Sequence, residues 1–122
     1  LDDIRFVSEM SSLPDQTAVL EERQNVLPEG FSLDQNYPNP FNSDTVIRFA
    51  LPEGDDVELA VFNLAGQQVA TLVRGRREAG IYSVRWDGRD DRGRELASGV
   101  YLYRLRTSGG QQEKTRKLLL LK

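Results

Sequence analysis

The stretch FSLDQNYPNPFNSDTVIRFAL, residues 31–51, decides the fold, because an irregular segment turns into a strand within it. Pro38 and Pro40 lack a backbone N–H and push the residue before each of them toward extended geometry. The asparagines between them and around them close turns by hydrogen bonding to their own backbone. We therefore predict a rigid proline corner, residues 36–42, which consists of Asn36, Tyr37, Pro38, Asn39, Pro40, Phe41 and Asn42.

Two aromatic residues, Tyr37 and Phe41, flank the Pro-Asn-Pro centre of this corner. A buried pair of rings at this point would fasten the corner onto a sheet. The next segment, TVIRFAL at 45–51, is rich in β-branched and aromatic residues and alternates with a period near two. This pattern predicts that the corner leads into the first full strand of a sheet.

The remainder of the chain repeats the same arrangement of strand and turn. Alternating segments lie at 57–64, 67–74, 80–87, 99–107 and 111–122. The longer connections are a polar one at 75–80 and a charged one at 88–97. Short strands at this spacing, without a long helix, predict an all-β fold: an antiparallel immunoglobulin-like β-sandwich of about seven strands. A closed barrel is the less favoured alternative.

The chain divides into an extended leader, residues 1–30, and a folded domain, residues 31–122. The first seven residues, LDDIRFV, resemble the last strand of a preceding domain, and residues 8–30 have the composition of a linker. Because the sequence begins with Leu, we expect it to be a processed product or the end of a longer protein. No apolar run approaches the ~20 residues that a membrane-spanning helix needs.

The sequence contains no cysteine and no histidine. The first absence excludes disulfides, thiol nucleophiles and thiolate metal sites. The second removes the commonest general base and the commonest transition-metal ligand. We therefore expect no enzyme activity, no catalytic residue and no cofactor.

Charge is distributed unevenly along the chain. Residues 1–60 carry 13 Asp or Glu and 3 Lys or Arg, whereas residues 61–122 carry 6 and 13. The favoured explanation is that acidic and basic strands pair across a sheet and neutralise each other. The alternative is that the acidic end of one molecule attracts the basic end of another copy, or an anionic surface.

Three groups of side chains are candidates for a binding site. The charged loop contains four acids that could bind Ca²⁺: Asp87, Asp90, Asp91 and Glu95. Arginines alternate with them and would repel a cation, so a charged hairpin loop without a metal is favoured. Four aromatic residues offer a carbohydrate platform, although their alternation on strands favours the core: Tyr82, Trp86, Tyr101 and Tyr103. Three arginines offer a phosphate contact, although a solvated loop is favoured: Arg74, Arg76 and Arg77.

A known family shares these blocks in the same order. The sequences QNYPNPFN, TVIRFALP, VFNLAGQQVATL, AGIYSVRWDG, ASGVYLYRL and TRKLLLLK resemble the carboxy-terminal sorting domain (type A) of type IX secretion substrates. They also resemble, more loosely, the Ig-like domain of the flagellar hook-capping protein. Ser43 departs from the pattern, since the family usually has proline there, and we expect a slightly looser corner.

The resemblance implies a signal domain that follows a secreted cargo protein. In this family an outer-membrane translocon recognises the folded domain, and a sortase-like peptidase can cut upstream of it, here within residues 8–30. The resemblance also implies an exported protein, in the periplasm in transit and then at the cell surface or outside the cell. It assigns translocon recognition to the last strand, residues Lys114, Arg116, Lys117, Leu118, Leu119, Leu120, Leu121 and Lys122.

Three classes of function therefore remain open. The first is the sorting domain, and the second is a structural module that associates with itself into an extracellular filament by strand donation or end-to-end contact. The third is a carbohydrate-binding accessory module. No nucleic-acid-binding motif is present, and we expect no nucleic-acid partner.

Overall fold

The computed structural model describes residues 30–122, and within them the chain forms two antiparallel sheets that enclose one core. The smaller sheet has the order β1-β2-β5, and the larger one has the order β4-β3-β6-β7. The strands are β1 (Ser32–Leu33), β2 (Thr45–Leu51), β3 (Asp55–Phe62), β4 (Gln68–Arg77), β5 (Gly80–Trp86), β6 (Gly99–Thr107) and β7 (Glu113–Leu120). A single 3₁₀ turn, Ser108–Gly110, joins β6 to β7. The predicted seven-stranded all-β sandwich is confirmed. The leader, its strand at 1–7 and its linker lie outside the described residues, apart from Gly30.

The core lies between the sheets and follows the predicted alternation. On β3, Val57, Leu59 and Val61 are all buried, and β6 contributes Tyr101, Tyr103 and Leu105. On β5 the same alternation is only partly realised, since Trp86 is buried whereas Tyr82 and Val84 are half-buried. These side chains meet because every second residue of a strand points to the same face.

Part of the charge asymmetry is accounted for by the pairing of β3 with β4. Asp55 lies opposite Arg77, Asp56 opposite Arg76 and Glu58 opposite Arg74. Of these three register pairs, Glu58 and Arg74 form an ion pair, at 3.2 Å. Glu58 also reaches Arg106 on β6 at 3.4 Å. The favoured explanation, neutralisation across a sheet, is confirmed for Glu58.

The predicted connection at 75–80 is wrong. β4 continues to Arg77, so only residues 78 and 79 separate it from β5. The glycine and the charged residues of this segment suggest a loop when the sequence is taken alone. In the folded chain the arginines extend the strand because acidic residues of β3 lie directly opposite them.

Candidate functional site: the proline corner and the last strand

The proline corner carries the chain from one sheet to the other. Leu33 of β1 pairs with Phe49 of β2, and Tyr37 forms an antiparallel bridge to Val46. Phe41 then forms a parallel bridge to Leu120 in the larger sheet. Both X-Pro bonds of the corner, before Pro38 and before Pro40, are cis. The corner therefore joins the two sheets at one edge of the sandwich.

Asn36 holds this crossing in place from a buried position. Its backbone N–H donates to the Tyr103 hydroxyl at 2.8 Å. Its side-chain amide donates to Thr45 Oγ1 at 3.0 Å and to the Pro38 carbonyl at 3.2 Å. The Tyr103 hydroxyl in turn donates to the Asp34 carbonyl at 2.7 Å. Polar groups that would otherwise be costly to bury are satisfied by one another here.

The two corner aromatics do not form a buried pair, because only Phe41 is buried. Phe41 is only 3% exposed, and its ring centroid lies 5.7 Å from that of Trp86. Tyr37 is 80% exposed. The side chain of Asn36 takes the inward position, so the next residue along the extended chain points to solvent. Phe41 alone fastens the corner to the core.

The corner also closes part of the outer edge of β7. Phe41 N–H donates to the Leu119 carbonyl at 3.1 Å, and Leu121 N–H donates to the Phe41 carbonyl at 2.9 Å. The side chain of Asn39 accepts the Leu119 N–H at 2.9 Å. Gln35 donates to the Lys117 carbonyl at 2.7 Å. The last strand is thus an edge strand whose second half is already paired. Only its first half, residues 113–116, is open.

The candidate recognition residues on β7 fall into two groups. Leu118 and Leu120 are buried in the core, and Leu119 is half-buried. The others are exposed: Lys114, Arg116, Lys117, Leu121 and Lys122. The apolar residues of this run therefore hold the strand in the sandwich, and a partner protein can contact chiefly its basic residues.

Two of the exposed cations are already engaged within the domain. Arg116 Nε donates to the Leu33 carbonyl at 2.5 Å, and Lys122 Nζ lies 3.5 Å from Glu95 Oε1. Lys114 and Lys117 form no ion pair with residues 30–122. Arg116 bonds to a neutral carbonyl and also keeps its charge, so three cations of β7 present a positive charge to solvent.

At Ser43 the hydroxyl lies 3.5 Å from Asp44 Oδ1, at the limit of a hydrogen bond. Asp44 itself forms an ion pair with Arg85 of β5. This ion pair fixes the segment between the corner and β2 in place of a third proline. The expected loosening at Ser43 stays a prediction.

The acidic loop between β5 and β6 is organised by arginines. Arg89 lies 3.8 Å from Asp87 and 3.3 Å from Glu95. Asp91 Oδ1 accepts the Thr71 N–H at 2.9 Å, which covers part of the outer edge of β4. Within residues 30–122 no group of three or more acidic residues is arranged to hold a metal ion. The carboxylates are used to fold the loop, as the charged-hairpin interpretation predicts.

Asp90 is the central residue of this loop. One carboxylate oxygen accepts the backbone N–H groups of Arg92 and Arg94, each at 2.9 Å. The other accepts Arg94 Nε at 3.2 Å. The backbone N–H of Arg94 is the main cause that lowers the pKa of Asp90 below its ordinary value of 3.8.

We expect Asp90→Asn to reduce the loss of stability in acid. A carboxyl whose pKa is lower in the folded state stabilises the fold above its unfolded pKa, and this contribution disappears as the pH falls through the folded value. Urea unfolding of both proteins between pH 6 and pH 2 would measure it, with Trp86 fluorescence at neutral pH as the control for folding. Parallel stability curves for the two proteins would contradict the role of Asp90.

The other two candidate sites are occupied by the fold itself. Trp86, Tyr101 and Tyr103 are buried, and half-buried Tyr82 stacks on Phe49 at 5.2 Å. No flat aromatic platform is formed by these residues. Arg74 is ion-paired with Glu58, Arg76 with Glu78, and Arg77 donates to the Arg76 carbonyl. Sequence reasoning missed Asn36 and the Tyr103 hydroxyl as a connected pair, and no local signal links residues 67 positions apart.

No helix among residues 30–122 is long and apolar enough to cross a membrane. The family described as FlgD Ig-like domain matches residues 36–111 of the chain. The chain belongs to this family. The immunoglobulin-like class of the predicted sandwich is thereby confirmed. The match ends before β7, so the last strand lies outside it.

Solved structures give related folds. The dimeric latent PorU of Porphyromonas gingivalis aligns with 84% of this chain at a TM-score of 0.60 and 16% identity. PorZ, an essential surface component of the type IX secretion system of P. gingivalis, aligns with 77% at a TM-score of 0.48 and 20% identity. FlgD of P. aeruginosa aligns with 62% at a TM-score of 0.48 and 28% identity.

The chain spans 10% of the PorU chain, 12% of the PorZ chain and 58% of the FlgD chain. No curated protein matches it. At these identities the likeness to PorU describes the fold.

Proposed function

We propose that this domain is a non-catalytic sorting signal, placed at the carboxy-terminal end of a cargo protein that crosses the outer membrane by type IX secretion. The observation that carries the proposal is the ordered set of sequence blocks from QNYPNPFN to TRKLLLLK. Support also comes from the contact between the first and the last of these blocks, which lie against each other along β7. Both ends of the sequence pattern thus belong to one surface.

The translocon would recognise the open half of β7. Residues 113–117 are all exposed, and the outer backbone groups of residues 113–116 are available for an added strand. The charges of Lys114 and Lys117 would give this contact its preference for an acidic partner. Leu118 and Leu120 would contribute indirectly, by keeping β7 in register.

The remaining parts of the proposal concern the whole secreted protein. A cargo domain would precede the leader, and a sortase-like peptidase would cut within residues 8–30. The cargo would pass through the periplasm and reach the cell surface or the medium. Mass spectrometry of the secreted product tests the cut, and intact 31–122 in the mature protein would argue against it.

The two alternatives have less support. Filament formation rests on a free leader strand, a linker and the opposite charges of the two halves, and the pairing of β3 with β4 accounts for part of that charge asymmetry. Carbohydrate binding was motivated by aromatic residues, three of which lie in the core. A homo-oligomer stays a prediction, and so does the absence of enzyme activity.

We expect the double substitution Lys114→Glu and Lys117→Glu to stop export of a cargo fused to this domain, and to leave the fold intact. Both side chains are exposed, so the change reverses the charge of β7 without disturbing the core. The measurement is the amount of cargo at the surface and in the periplasm of a bacterium that has type IX secretion.

The matched control is Arg48→Glu with Arg92→Glu, which reverses two exposed charges away from β7. Circular dichroism of each purified domain checks the fold. Normal export of the β7 variant, or equal loss in both variants, would remove β7 as the recognition element.

A further inference from the structure

The outer face of the larger sheet carries an apolar patch that is separate from the core. Strand register places Phe62 beside Leu102, and Val100 beside Leu119. These four residues, the outer patch, are exposed or half-buried, and none belongs to the core cluster. Contiguous apolar side chains on a sheet face mark a contact surface.

Arg104 gives this patch a chemical preference. Its guanidinium carbon lies 4.6 Å from the centre of the Phe62 ring. The side chain is half-buried, and its Nε is fully buried without a hydrogen-bond partner among residues 30–122. The covered Nε cannot be reached from outside, but the half-buried guanidinium carries a positive charge and further N–H donors, which a carboxylate would pair with.

The nearest acid on this face, Glu58, is already paired with Arg74 and Arg106. Across the same face, Ala60 and Thr115 lie opposite Arg104, and Lys117 lies opposite Leu102. The surface therefore fits a segment that combines apolar side chains with carboxylates. It is a positively charged apolar face within an acidic protein.

The leader of this chain has that chemistry. Residues 1–29 carry seven Asp or Glu and two Lys or Arg, whereas residues 30–122 carry 12 and 14. Within the leader, VLEE at 19–22 places two apolar residues directly before two carboxylates. Opposite charge on the two parts of one chain favours their contact.

The attachment point brings the leader close to the patch. The chain enters the domain just before β1, and β1 lies beside β7, where Arg116 bonds to the Leu33 carbonyl. An extended chain spans about 3.3 Å per residue, so the ten residues from position 20 to Gly30 reach about 33 Å. Leu119 lies three positions after Arg116 along β7, which corresponds to about 10 Å. Covalent attachment also gives an effective concentration on the order of millimolar.

We propose that the acidic leader of the same chain docks on the outer patch. Val19 and Leu20 would cover the apolar side chains, and Glu21 or Glu22 would accept a hydrogen bond from Arg104. The docked leader would shield an apolar sheet face from other proteins. This inference does not depend on the sorting function, because it follows from residues of the larger sheet and from the charge of the leader.

A spin label on the leader of the full chain tests this contact. The protein has no cysteine, so Gln24→Cys provides a unique attachment point. In ¹⁵N spectra we expect selective broadening of the amides of the outer patch. Val100→Asp and, separately, Glu21→Lys with Glu22→Lys should each abolish the broadening.

Val46→Asp is the matched control, because Val46 is 39% exposed on the smaller sheet and Val100 is 37% exposed. It should leave the broadening unchanged, and Trp86 fluorescence confirms that each variant is folded. Broadening spread evenly over the domain would overturn the proposal. A mixture of labelled ¹⁴N chains with unlabelled ¹⁵N chains identifies docking between copies, and broadening there of the same strength would also overturn it.

Discussion

Replacing Phe41 with alanine is expected to lower the free energy of unfolding by about 3–5 kcal/mol, the usual cost of removing a buried phenylalanine. Phe41 is the corner residue that packs into the core, against Trp86. Its backbone also pairs with Leu119 and Leu121. Loss of the ring would therefore free both the corner and the outer edge of β7. Chemical denaturation measures the first effect, and hydrogen exchange at the amides of Leu119 and Leu121 measures the second.

Tyr37→Ala is the matched control for this change, since Tyr37 is an aromatic residue of the same corner that is 80% exposed. Surface substitutions of this kind usually change stability by no more than about 0.5 kcal/mol. Equal destabilisation by the two substitutions would contradict the assignment of Phe41 as the residue that fastens the corner.

The second large effect is expected for Tyr103→Phe, which removes one oxygen atom from the core. The hydroxyl accepts the Asn36 N–H and donates to the Asp34 carbonyl, and the tyrosine is fully buried. Two backbone groups lose their hydrogen-bond partner at once. We therefore expect the free energy of unfolding to fall by about 1–3 kcal/mol or more, because these groups stay buried without a partner. Tyr82→Phe is the control, because its hydroxyl makes one exposed bond to the Glu78 carbonyl. A smaller loss for Tyr103→Phe than for Tyr82→Phe would contradict this account.

The same substitution should alter stability in alkali. Burial raises the pKa of Tyr103 above its ordinary value of 10.0. A raised pKa means that the unfolded chain loses this proton first, so the contribution to stability is complete below pH 10 and declines as the pH rises above it. Unfolding curves between pH 9 and pH 11 should therefore fall less steeply for Tyr103→Phe than for the natural protein.

Local periodicity was sufficient to predict the strands and most of the core. β3 illustrates this, since Val57, Leu59 and Val61 alternate in the sequence and are all buried. The end of β4 was not predictable in this way. Arg76 and Arg77 belong to a strand only because acidic residues lie opposite them, and such pairing is a property of two segments together.

The sequence predicted which two segments form the candidate site. It did not predict how these segments contact each other. The proline pattern identified the corner, and the basic-apolar pattern identified the last strand. Their contact joins Asn39 to Leu119, which are 80 residues apart, and no periodicity within either segment encodes it. The exposure of Tyr37 was not predictable for a related reason. The corner has one inward position near its start, and the side chain of Asn36 takes it and is hydrogen-bonded there.

The contact between the corner and β7 has a consequence for the order of folding. The corner and β7 are 80 residues apart. Bringing them together is slow compared with the formation of neighbouring hairpins such as β3–β4. During synthesis the corner emerges from the ribosome long before Leu119 and Leu121, and its outward-facing backbone groups stay without these partners until the last strand is made. A truncated domain that lacks β7 would therefore expose the corner and the edge of β6 together. The sandwich can therefore be completed only after the ribosome has synthesised the last strand of the domain.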